Sequence, residues 1–156
     1  MILLVSLYAW STIEDKRTAK LHDSDAFSVL ETLEGQSPYT DLQGDEVSLI
    51  NYFGNVLVVS SWASWCPDCS THLPLLDELA VEYADKGVQV LAINRSEPAT
   101  TAERFLRTVN ATSAVVLVLD PDDKFYKSVE VYAMPETIFY DTKIAISFHS
   151  RSSITL

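Results

Sequence analysis

Apart from one close pair, the chain has no cysteine: among 156 residues only Cys66 and Cys69 carry thiols. No sulfur is left over for a structural disulfide, so cysteine usage assigns no compartment. Positive charge is also scarce. Lys and Arg total 11 against 22 acidic residues, a net charge of −11, and no basic cluster is present to meet phosphates. Nucleic acid is thereby excluded as a natural partner. The acidity keeps the chain soluble and biases it toward neutral or basic protein surfaces. No apolar run reaches the roughly 20 residues that a bilayer-spanning helix needs. Repeats and low-complexity tracts are absent too, and with 47% apolar residues the length fits one domain with a real core.

The N-terminus is apolar from Met1 to Trp10 and then turns charged at Glu14, Asp15, Lys16 and Arg17. It lacks the positive residues that precede a signal peptide's apolar region, and no small-residue cleavage site follows it. Residues 1–13 therefore fit either a shortened membrane anchor or export signal, or a packed strand or helix. Residues 14–26 read as a polar linker, and the domain proper is expected over residues 27–156.

From Phe27 to Leu49, Gly35, Ser37-Pro38 and Gly44-Asp45 punctuate short segments, which predicts a small hairpin. The valine-rich run Asn55–Ser61 has the pattern of a strand buried on both faces. Leu73, Leu76, Leu79, Ala80 and Tyr83 form one helical face between Pro67 and Lys86, with Gly87 as a stop signal and Pro74 as a site of kinking. Val88–Ile93 and Val115–Leu119 are further strands. Between them, Thr100-Thr101-Ala102-Glu103 resembles a capping box for a helix reaching about Asn110. Asp120 to Asp123 opens a short helix with Phe125 and Val129 facing inward, and strands at Thr137–Tyr140 and Ile144–Phe148 flank the Asp141-Thr142-Lys143 turn. Alternating strands and helices imply an α/β sandwich; the tight last connection makes its sheet mixed.

Both cysteines lie where a strand gives way to a helix, in Trp62-Ala63-Ser64-Trp65-Cys66-Pro67-Asp68-Cys69. Pro67 suits a first helical position, which puts Cys66 at the positive end of a helix dipole. Such a site lowers a thiol pKa from about 8.5 to about 7 or below, raising the thiolate from a few per cent to roughly half at neutral pH. Redox chemistry is the reading this favours.

Over Phe27 to His149 the chain resembles the TlpA/ResA-like thiol-disulfide oxidoreductases of the thioredoxin fold. The likeness rests on the Gly44 hairpin, the Trp-Ala-Ser-Trp-Cys-Pro-Asp-Cys signature of residues 62–69, Pro74, a helix near residues 100–109, Leu119-Asp120-Pro121-Asp122 and Met134-Pro135-Glu136-Thr137. The resemblance implies a three-layer sandwich with a mixed central sheet, an N-terminal hairpin and an inserted helix. It implies that Pro135 is a cis-proline facing the cysteines, with the Met134 backbone placed to pair with an extended substrate. It implies Cys66 as nucleophile and Cys69 as resolving thiol, supported by Trp65 and Pro67, with no cofactor and no metal. The partners it implies are a protein disulfide, such as that of an apocytochrome in cytochrome c maturation, and a membrane electron donor. The place it implies is outside the cytoplasm, anchored by the N-terminus and facing the periplasm or cell exterior, with the cytoplasm as the alternative.

Two departures stand out. Thioredoxins carry a buried acid six positions before the first cysteine, where this chain has Ser60. Many TlpA/ResA-like proteins carry a glutamate three positions after the second, where this chain has His72. His72 is the candidate proton acceptor for Cys69, since an ordinary histidine pKa of about 6.5 suits that task. Asp68 opposes the Cys66 thiolate, which favours a reductant over an oxidant, and it also suits a helix N-terminus. The family's last strand is followed by a covering helix, which has no counterpart before Leu156. Two expectations follow: either the chain is a truncated form, or an apolar face near Ile144, Ile146 and Phe148 is exposed and is covered by another chain or by the N-terminal segment.

The rival class is metal handling: Cys66, Cys69 and a histidine (His72, His22 or His149) offer ligands for copper. Structural zinc would need a second ligand pair, which is missing. A peroxidase lacks support, because the threonine and proline that such enzymes place before their reactive cysteine are absent.

Overall fold

The computed structural model describes residues 39–110, 114–129 and 132–154. The expected N-terminal segment 1–13, the linker 14–26 and the start of the domain at Phe27 lie outside the described residues.

A seven-stranded mixed sheet forms the middle layer, in the order β2-β1-β5-β4-β3-β6-β7. Its strands are β1 (Tyr39–Asp41), β2 (Glu46–Val47), β3 (Val56–Trp62), β4 (Val88–Arg95), β5 (Val116–Asp120), β6 (Glu136–Tyr140) and β7 (Ile146–Ser150). β3, β4 and β5 run parallel, and every other pairing is antiparallel. The parallel crossovers are made by α1 (Cys69–Tyr83) and α2 (Ala99–Val109). Both connections step in the same direction across the sheet, so a common right hand puts both helices on one face. The short α3 (Lys124–Ser128) sits on the other face and buries Phe125 with Leu57, Val59, Leu91 and Ile138.

β3 is central and explains the site. Its period of two sends Leu57 and Val59 to the α3 face and Val58, Ser60 and Trp62 to the α1 face. Ser60 is therefore carried beneath α1, and the chain leaves the sheet at Trp62, just short of the cysteines.

Three local expectations are corrected. The helix after β3 begins at Cys69, with Asp68 as its N-cap residue, so Pro67 is not its first residue. A residue before proline is disfavoured in α backbone, and Cys66 is left in the turn ahead of the helix, its C=O accepting from Cys69 N–H. Thr100 does not cap α2, which starts one residue earlier, at Ala99, behind Pro98 and without a side-chain cap. The proline's extended backbone already supplies the helix entry. Ile144 is neither exposed nor in a strand. It is buried in a turn at φ 60°, because Asp141 Oδ1 accepts from the amides of Lys143 and Ala145 and folds the chain back there.

Other expectations hold. Gly87 stops the helical segment at φ 74°. Asp120 takes the amides of Lys124 and Phe125 and opens α3. Ile146 and Phe148 are exposed, the latter at 61%, beside an open apolar groove lined by Val56, Val58, Leu79, Tyr83, Val88 and Phe139. No helix of the described residues is long and apolar enough to cross a membrane.

Candidate active site

The loop from β3 to α1 starts with Trp62, which is buried and stacked on Phe105 of α2 at 5.7 Å. Ser64 comes next, and it is held from a distance in sequence. Glu97 Oε2 accepts from the Ser64 amide at 2.8 Å and from Asn94 Nδ2 at 2.8 Å, while its other oxygen accepts from the Ser64 hydroxyl. One nearly buried carboxylate thus fixes the residue two places before Cys66. Trp65 follows with 59% of its surface exposed.

Cys66 and Cys69 are joined in a disulfide, with 5.4 Å between Cα atoms. Cys66 is 2% exposed and Cys69 is fully buried, so the pair differs in the expected direction by a narrow margin. The turn is closed by Cys66 N–H to Ala63 C=O and Cys69 N–H to Cys66 C=O, each 3.2 Å. Pro67 and Asp68 are exposed. The Asp68 side chain makes no capping hydrogen bond, so its influence on the helix and on the sulfurs is that of a nearby charge.

His72, one turn after Cys69, is fully buried. Its Nε2 lies 2.9 Å from Ser60 Oγ and 3.2 Å from Thr137 Oγ1, and the two hydroxyls are 2.9 Å apart. Ser60 Oγ can also donate to the Glu136 carbonyl at 3.3 Å. When it does, Nε2–H donates to Ser60 and the lone pair of Nδ1, which has no partner, remains available. Burial pushes the imidazole pKa down to about 4, because the cation would be stripped of water without a compensating charge. The ordinary value expected from sequence is corrected accordingly.

Met134 and Pro135 are joined by a cis bond, as the resemblance implies. Glu136, directly after it, is buried, and its Oε2 accepts from the amides of Tyr132 and Ala133. His149, on β7, touches its other oxygen. No spacing in the sequence announces Glu97 or Thr137 as members of the site. Glu136 stood in a recognised motif without a role. Among the described residues no three His, Cys, Asp or Glu side chains converge to hold a metal ion, and the nitrogen His72 turns to its neighbours is engaged with hydroxyls.

The AhpC/TSA family model matches residues 29–149. A thiol-disulfide oxidoreductase ResA of Geobacillus kaustophilus is 32% identical over 102 residues, which cover 65% of this chain and 58% of that protein. The chain thus matches less than two thirds of that relative's length. A putative thiol:disulfide interchange protein DsbE from Chlorobium tepidum superposes with a TM-score of 0.67 at 26% identity, covering 72% of this chain and 78% of that one. A secreted Mycobacterium tuberculosis disulfide oxidoreductase homologous to E. coli DsbE gives 0.68 at 21% identity, over 80% and 90%, a likeness of fold.

Proposed function

This chain belongs to the AhpC/TSA family, and from that membership together with the Cys66–Cys69 pair we propose that it is a protein thiol-disulfide oxidoreductase working as a reductant. The observation that carries the reading is the closed Cys66–Cys69 disulfide at the mouth of α1, in a fold that also holds a cis Met134–Pro135 bond.

In the reducing direction, the Cys66 thiolate attacks one sulfur of a substrate disulfide and displaces the other as a thiolate. The mixed disulfide is then attacked by Cys69, which closes the Cys66–Cys69 bond and releases the second substrate thiolate. Two electrons pass from the dithiol to the substrate, and the proton of Cys69 ends on the departing thiolate. His72 carries that proton. Between a thiol near 8.5 and an imidazole near 4, full transfer is uphill by about 6 kcal/mol, so His72 relays the proton and does not store it. Trp65 and the Met134 backbone receive the substrate segment.

The exposed charge of Asp68 supports the reducing direction, since it disfavours the thiolate form of the dithiol. The site of action is extracytoplasmic. There the apolar Met1–Trp10 segment anchors the domain to a membrane whose electron donor resets the disulfide, and the substrate is an exported protein such as an apocytochrome. The test is trapping. Cys69→Ser should accumulate a mixed disulfide through Cys66 that reducing agent releases; a variant that captures no protein while Cys66 stays alkylatable overturns the reading.

A further inference from the structure

Glu136 is 1% exposed, and its carboxylate is gripped from two sides. Oε2 accepts from Tyr132 N–H at 2.8 Å and Ala133 N–H at 2.9 Å. Oε1 touches His149 Nε2 and stands 3.3 Å from Arg151 Nε, both contributed by or just beyond β7. The Arg151 guanidinium also lies over the Tyr132 ring, 6.0 Å from its centroid. Burying a carboxylate is costly unless its oxygens are satisfied; here Oε2 takes two amides of the loop ahead of the cis bond, while Oε1 makes no hydrogen bond and is held by its contacts to His149 and Arg151 alone. Glu136 takes the two amides before Met134 and not that of Met134 itself. Tyr132 is left standing out of the surface at 71% exposure.

We propose that Glu136, braced by His149 and Arg151, is a positioning residue that presents the Met134 edge and the Tyr132 ring to an extended segment of the protein substrate. It acts on docking and not on thiol exchange. The inference rests on the oxidoreductase reading above.

Removing the negative charge by Glu136→Gln costs the loop its charge-assisted bonds and turns an amide donor toward either the loop amides or the His149 and Arg151 side chains. With insulin as the probe protein disulfide and the full chain as enzyme, E136Q should raise KM about tenfold while kcat stays within about twofold. The rate with a small disulfide such as hydroxyethyl disulfide, which has no backbone to pair, and the Cys66–Cys69 midpoint potential should both match wild type. Arg151→Met, at a half-exposed position where the fold is not at stake, should raise KM for insulin about threefold by the same route. An unchanged KM in either folded variant, or an equal loss with the small disulfide, overturns the proposal. If E136Q does not fold, R151M decides the matter alone. Wild-type protein inert toward both insulin and the small disulfide would instead refute the oxidoreductase reading itself.

Discussion

Ser60 Oγ and His72 Nε2 stand 2.9 Å apart in the interior, one from the central strand and the other from the helix that carries Cys69. These are the two positions at which the family resemblance implies an acid, and in space they are a single place. In this chain that place holds a neutral polar cluster completed by Thr137. A cluster of this kind avoids the cost of burying charge.

The first expectation concerns acid stability. Folding lowers the His72 pKa from 6.5 to about 4, so between those values the unfolded chain binds a proton that the native state refuses. Above pH 6.5 both states are neutral and the site contributes no pH dependence; below it, stability falls until about pH 4. Urea melts at pH 7.5 and 4.5 should show His72→Gln losing about 2 to 3 kcal/mol less than wild type over that interval. Equal losses would refute the lowered pKa.

The proposed relay makes the same residue govern a rate. His72→Ala should slow release of substrate from the mixed disulfide about tenfold or more at pH 7, with the deficit shrinking as rising pH ionises Cys69 unaided. Quenched-flow measurement across pH 6 to 9 tests this, and a profile identical to wild type ends the relay role.

Asp68 is exposed, so its effect on the thiolate is screened and modest. Asp68→Asn should make the midpoint potential more positive by about 10 to 20 mV in glutathione buffers. A shift to more negative values contradicts the opposing-charge account. A wild-type potential near about −120 mV, that of a strong oxidant, contradicts the reductant reading.

Glu97 holds the loop before Cys66 through Ser64. Glu97→Ala leaves the Ser64 amide and Asn94 without their acceptor and should destabilise the fold by about 1 to 3 kcal/mol in denaturant melts. Ser64→Ala keeps the amide bond and should cost about half as much or less. A larger loss for Ser64→Ala than for Glu97→Ala would show that the carboxylate is not the anchor.

Much of the framework is legible from local pattern. The valines of β3, the apolar face of α1 and the stop at Gly87 each follow from a period or a backbone preference that neighbouring residues settle among themselves. Where the reading of residues erred, a competing local device prevailed: Pro98 over Thr100 at the start of α2, a turn at Pro67 and Asp68 over a helix beginning at Pro67, and the Asp141 turn over strand propensity at Ile144. Exposure at Ile146 and Phe148 agrees with the apolar face expected there.

By itself the sequence determined that two sulfurs sit one helical turn apart at the end of a buried strand, because spacing along a chain is a local quantity. It also determined that no carboxylate occupies positions 60 and 72. Only the tertiary structure decided what surrounds those sulfurs. Ser60 meets His72 across 12 positions and Thr137 across 77, Glu97 reaches Ser64 across 33, and His149 reaches back to Glu136 from the neighbouring strand. Contacts at such separations depend on how strands pair and helices cross, and burial within them sets whether a histidine is an ordinary base or, as here, one held neutral down to about pH 4.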